Sequence, residues 1–165
     1  MGKSPAKELV KFLRPFDDEI KSTVLWLRNF VWEIYPTSNE LIYDNYNALA
    51  LGWSISDRLG HVFCNIAIGR TSHNIHFGFF WGTEIADPEK RLIGEGNQYR
   101  YLLVRSINTF PKTYIKKLLK ASYANSKSKV KDERQIVQGK TFIKSISAKK
   151  RGSNKMSARK KSKPF

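Results

Sequence analysis

Apolar positions near the start of the chain recur at helical spacing. Leu9, Val10, Phe12 and Leu13 follow Ser4-Pro5, a serine suited to cap a helix and a proline suited to its first turn, and Pro15 stops the run. Asp17, Asp18 and Glu19 then put negative charge where a helix N-terminus favours it. Ile20, Val24, Leu27, Val31 and Ile34 follow at intervals of three and four until Pro36. The pattern predicts two helices, the second with one apolar stripe turned to a core. Capping accounts for the acidic cluster ahead of a metal site.

From Glu40 the period shortens. Residues 41–43, 48–54, 61–68 and 75–80 are rich in aromatic and β-branched side chains, and turn residues such as Asp44-Asn45 and Ser56-Asp57-Arg58 divide them. Connections this short imply antiparallel neighbours, because a parallel pair needs a crossover of a dozen or more residues. A loop holding Asp87-Pro88 and Gly94-Glu95-Gly96 leads to a fifth strand over 99–104. Pro111 then opens a last helix with Tyr114, Ile115, Leu118 and Leu119 on one side and Lys112, Lys116 and Lys120 on the other. The chain therefore reads as α+β: two N-terminal helices, an antiparallel sheet of about five strands, and a C-terminal helix packed on that sheet. Residues 141–146 are a candidate edge strand.

Charge divides the chain more sharply than hydropathy does. The 165 residues carry 30 Lys and Arg against 14 Asp and Glu, and residues 126–165 alone hold 14 cations against Asp132 and Glu133, a net of +12. The expected organisation is a nearly neutral domain over 1–125, a linker over 126–147, and a basic, disordered tail over 148–165. On this reading the domain is self-sufficient and the extension contributes nothing to its folding. Tail cations Lys149, Lys150, Arg151, Lys155, Arg159, Lys160, Lys161 and Lys163 are candidate contacts to nucleic-acid phosphates, and eight such contacts would give a salt slope near about −7. No apolar run reaches membrane-span length, and the start MGKSPAKE lacks a signal-peptide core and a myristoylation pattern, so a cytoplasmic location without membrane association is expected.

Candidate chemistry is sparse. His73 and His76, three apart on a strand, point to opposite faces and cannot share one ion locally; the same parity separates His61 from Cys64. Cys64, within Val62-Phe63-Cys64, reads as a packed core thiol. Gly139-Lys140-Thr141 ends like a P-loop, but Arg134 stands where the upstream glycine is required. Phe77, Phe79 and Trp81 alternate on one strand face and read as core. Two places remain as ligand sites. One is the corner Tyr43, Asp44, Tyr46 and Asn47 with Trp53 downstream, either a packed hairpin corner or a pocket rim. The other is Gly94 and Gly96, either a tight turn or an amide nest beside Arg100 for an anion. Asp44 is the one candidate general acid or base, and no residue set dictates a reaction.

The order of segments carries a resemblance. Residues 41–50 (LIYDNYNALA), Asp57-Arg58-Leu59, Phe63-Cys64, residues 74–78 (NIHFG), Asp87-Pro88, residues 92–96 (LIGEG) and Tyr99-Arg100 together resemble the YdhG-like family of bacterial domains of unknown function, over roughly residues 8–124. Residues 142–149 look like a C-terminal element of its close relatives. The resemblance implies a compact α+β domain with an antiparallel sheet, and, since some members are described as frataxin-like iron chaperones, it brings iron as a candidate cofactor. Iron wants clustered hard ligands, whereas Glu33, Glu40, Asp44, Glu84, Asp87, Glu89 and Glu95 are scattered along a basic chain. The primary expectation is a non-enzymatic domain that binds a small or anionic ligand. Iron binding and nucleic-acid association through the tail are the alternatives.

Overall fold

A computed structural model of the protein describes residues 3–152. Helix α1 spans Lys7–Leu13 and α2 spans Asp18–Ile34. The Asp17 carboxylate accepts the Ile20 amide at 2.9 Å, so the acidic cluster starts α2 by capping it. Ala6, which has no capping side chain, precedes α1, and Ser4 lies two residues too early to cap.

Strands β1 (Asn39–Asp44), β2 (Ala48–Ser54), β3 (Val62–Gly69), β4 (Ile75–Phe79) and β5 (Arg100–Val104) form an antiparallel meander. Helix α3 (Lys112–Ser128) then carries the chain back across the sheet, and β6 (Thr141–Ile146) pairs with β1 in parallel. The sheet is thus mixed and six-stranded, in the order β5-β4-β3-β2-β1-β6, where five antiparallel strands were expected. The long excursion through α3 is what makes a parallel partner reachable.

This corrects the view of the extension as a bystander to folding. The candidate edge strand over 141–146 forms as β6 at the margin of the sheet, while the end of α3 opens the expected linker over 126–147. Asn39, fully buried, holds it from both ends of its carboxamide: Nδ2 donates to the Val137 carbonyl at 2.7 Å, and Oδ1 accepts the Lys140 amide at 3.0 Å. The Thr141 hydroxyl donates to Glu40 at 3.0 Å, and Ile143 packs against the core. The expected disorder over 148–165 fails at its start as well. The Arg151 amide donates to the Tyr46 carbonyl at 2.9 Å, and the Lys150 ammonium lies 3.1 Å from the Asp44 carboxylate. The remainder of that segment, from 153 onward, lies outside the described residues.

All three helices bury their apolar stripes in one core against the same face of the sheet, reached by Ile42, Leu49, Leu51, Trp53, Ile66, Phe77 and Phe79. A register shift opposite Trp53 and Ser54 leaves Phe63 as an extra residue in β3. The carbonyls of Val62 and Phe63 turn to α3, where the buried hydroxyls of Ser126 and Ser122 donate to them at 3.1 and 2.5 Å. Polar residues inside α3 are therefore there to satisfy a bulge. Cys64 is fully buried and its thiol is pushed well up by that burial, as a core position requires. Trp81 departs from the expected core row. β4 ends at Phe79, and the indole N–H of Trp81 donates instead to the Gly60 carbonyl at 2.9 Å. Among the described residues no helix is long and apolar enough to cross a membrane.

Candidate functional site

Strand alternation sorts large from small side chains. On β2, Leu49, Leu51 and Trp53 face the helices, while Ala48, Ala50 and Gly52 face the other way. The small residues leave room on the open face of the sheet, and a cleft of about 260 Å³ forms there. Tyr43, Phe80 and Tyr99 give it aromatic walls, Leu59 and Val62 close one end, and Ala50 and Gly52 form the floor. Its polar groups are Asn45 and Asn65 and the tyrosine hydroxyls.

Two of those groups, the Tyr99 hydroxyl and Oδ1 of Asn65, are buried and have no hydrogen-bond partner among the described residues beyond the Asn65–Tyr99 contact itself. They meet above Gly78, where a Cβ would lie 2.0 Å from Tyr99 Oη and 2.5 Å from Asn65 Oδ1. Only glycine lets the tyrosine ring lie flat here against the sheet. Burial, opposed by the neighbouring Asn65, pushes the Tyr99 hydroxyl up to about 12, and burial also raises Tyr43. Both phenols are therefore neutral over the physiological range, and none of the lining residues is an acid, a base or a thiol.

The residues singled out from the sequence do not gather at one place. Tyr43 lines the cleft, but Asp44 follows it on the strand and so points to the opposite face. Asp44 is buried there between the Arg70 guanidinium and Lys150, which leaves its carboxylate no free edge for proton transfer. Tyr46 is 47% exposed at the hairpin corner, and the Asn47 carbonyl accepts the Arg70 amide at 2.9 Å. Trp53 is fully buried and meets Trp32 edge-on at 6.1 Å, so it belongs to the helical core and not to a rim. Arg100 lies on β5, four strand spacings from β1 and about 19 Å across the sheet. Its guanidinium turns back onto the carbonyls of Gly96 and Tyr99, both at 2.7 Å. Gly94 sits at φ +133°, a turn conformation that favours glycine, so this loop is read as a tight turn closed by its own arginine and not as an anion nest. Sequence reasoning missed Asn65, Phe80 and Tyr99. The usable signal was the run Ala48, Ala50, Gly52, small on every second position.

Of the basic tail residues, Lys149, Lys150 and Arg151 are described, and Lys150 and Arg151 are engaged at the hairpin corner: besides its contacts to Asp44 and Tyr46, this pair reaches the Ser147 carbonyl and Asn47 Oδ1. Lys155, Arg159, Lys160, Lys161 and Lys163 lie outside the described residues. Among the described residues no three His, Cys, Asp or Glu side chains gather as a metal site.

Histidines set the expected pH response. His61 is held below the ordinary range by burial and then by the Arg58 charge, and its Nδ1 lies 2.6 Å from the Ser56 hydroxyl. His76, stacked on Tyr101 at 3.9 Å, is lowered by burial. As pH falls the unfolded chain takes up these protons first, so the stability they contribute is complete above about pH 6.5 and is lost below it. Unfolding free energies should rise between about pH 5 and 7, by less than about 1.4 kcal/mol per unit for each histidine. Denaturant titrations of His61→Gln should show a flatter slope; an unchanged one would remove His61 as its source.

Comparison with protein-family models, with curated proteins and with solved structures finds no match to this chain.

Proposed function

We propose that this protein is a non-enzymatic binding module whose open-face cleft holds a small, planar, uncharged ligand. The observation that carries this reading is the buried pair Tyr99 Oη and Asn65 Oδ1, whose polar neighbours among the described residues are limited to each other, at a cleft walled by aromatic rings. A buried polar atom with poor partners costs about 1–3 kcal/mol, so a ligand that offers an N–H to Asn65 Oδ1 and accepts the Tyr99 hydroxyl at a carbonyl recovers that cost while its rings stack on Tyr43 and Phe80. Among the described residues no cation lines the cleft, which favours a neutral ligand over the anionic one that the sequence also allowed. No group in it titrates near neutrality, which favours binding over acid–base catalysis. YdhG-like membership is proposed alongside, supported by the α+β arrangement with helices on one side of the sheet.

Thermal shift with a panel of neutral heteroaromatic amides and lactams tests the reading. A compound present at about 100 times its dissociation constant stabilises the fold by about 2.7 kcal/mol. Tyr99→Phe should fold normally and weaken such a compound about tenfold, the value of one hydrogen bond. Gly78→Ala should displace the Tyr99 ring and abolish the shift. A panel that leaves the wild-type melting temperature unmoved, or hits indifferent to both substitutions, would overturn it.

A further inference from the structure

We infer that the outer face of α3 docks on the phosphate backbone of double-stranded nucleic acid. Residues 96–131 hold nine Lys and Arg and no Asp or Glu, and α3 lies within this stretch. Lys112, Lys116 and Lys120 recur every fourth residue and so form one row about 12 Å long, with Lys117 beside it. All four are exposed, and none forms an ion pair among the described residues. One carboxylate stands on each flank, Glu33 across the groove from Lys112 and Lys116, and Glu89 near Lys117; Arg91 offsets the latter.

Local stability does not account for this composition. Cations in the first turn of a helix oppose its macrodipole, and like charges four apart repel, each at a cost of a few tenths of a kcal/mol or more. A helix face needed only for solubility would alternate Glu with Lys. A row of unneutralised cations instead matches a surface that carries one negative charge per about 1.7 Å of axis, and contact releases the condensed counterions of that surface. The partner is duplex and not single-stranded, because among the described residues this face offers no free ring on which unpaired bases would stack. Trp26, the aromatic residue beside the row, is stacked on Phe30 at 5.6 Å, and Lys112 stands 5.6 Å from its ring centre.

Fluorescence anisotropy of the full chain with a short labelled duplex of mixed sequence tests the assignment. Replacing Lys112, Lys116, Lys117 and Lys120 together with Gln should leave the melting temperature unchanged or slightly raised and reduce the magnitude of the log–log salt slope by about 3–4. The extra loss of affinity that four contacts cause between about 50 and 200 mM salt, about 100-fold, should disappear in that variant. The corresponding Lys→Arg variant should bind like the wild type. Absence of wild-type binding at low salt, an unchanged slope in the Gln variant, or tighter binding to a single strand of the same sequence would each overturn the inference. So would complete loss of binding when Lys155, Arg159, Lys160, Lys161 and Lys163 are replaced and α3 is left intact.

Discussion

Glu40→Ala is expected to lower the unfolding free energy by about 3–5 kcal/mol, the usual result of removing one partner from a buried ion pair. Glu40 is fully buried and Arg28 is 1% exposed. Their fork is closed by two bonds, Nε to Oε2 at 2.7 Å and Nη2 to Oε1 at 3.2 Å. Further partners hold both groups in place. The Arg28 Nη1 donates to the Lys3 carbonyl, the guanidinium lies 4.5 Å from the Trp32 ring centre, and Oε1 of Glu40 also accepts the Thr141 hydroxyl. Removing the carboxylate strands a guanidinium that cannot reach water and frees β6 from one of its side-chain anchors. The double variant Arg28→Met, Glu40→Leu should recover most of the loss, since it takes out both charges and keeps the volume. Chemical denaturation of the three variants decides the matter. A loss below about 1 kcal/mol in Glu40→Ala would mean that water or another cation compensates the site.

A chain ending at Lys140 is expected to be less stable by about 2–4 kcal/mol and to self-associate. The cut removes β6 and with it five paired positions along β1, the Thr141 hydroxyl on Glu40, and Lys150 on Asp44. Each buried acceptor left open costs about 1–3 kcal/mol, part of which water recovers at the new edge. β1 would then become the edge strand, and its residues 39–42 are fully buried in the intact protein. A newly bared, apolar edge is a template for pairing with another chain. Melting temperature together with light scattering would test both halves of the expectation. A truncated chain that stays monomeric and melts within a degree or two of the intact one would show that β6 is ornamental.

Much of the fold was legible because it is written in local spacing. The stripe Ile20, Val24, Leu27, Val31 and the cap at Asp17 define α2 without reference to anything distant, and the short turns between β1 and β4 leave antiparallel pairing as the one geometric choice. The partner of β6 was not legible. A parallel pairing joins residues about a hundred positions apart, Glu40 with Thr141, and neither strand carries a local mark of the other. The candidate site shows the same divide. Tyr43 and Asp44 are neighbours in sequence and were read as one rim, yet strand parity sends them to opposite faces, and one is a cleft wall while the other is a buried counterion. Tyr99 and Asn65 lie 34 positions apart and meet only because Gly78 of the intervening strand lacks a side chain.

What the amino-acid order determined by itself is the inventory of elements and the sign of the charge, since both follow from interactions within a few residues: apolar periodicity, caps, turn chemistry and the local count of lysines. What only the tertiary structure decided is which of those elements share an edge and which side chains share a space. Burial of Arg28 against Glu40, closure of the sheet by β6, and the buried pair Tyr99 and Asn65 all depend on contacts between distant segments. Such contacts form when hydrophobic burial brings whole faces together, and no window of the sequence contains both halves of them.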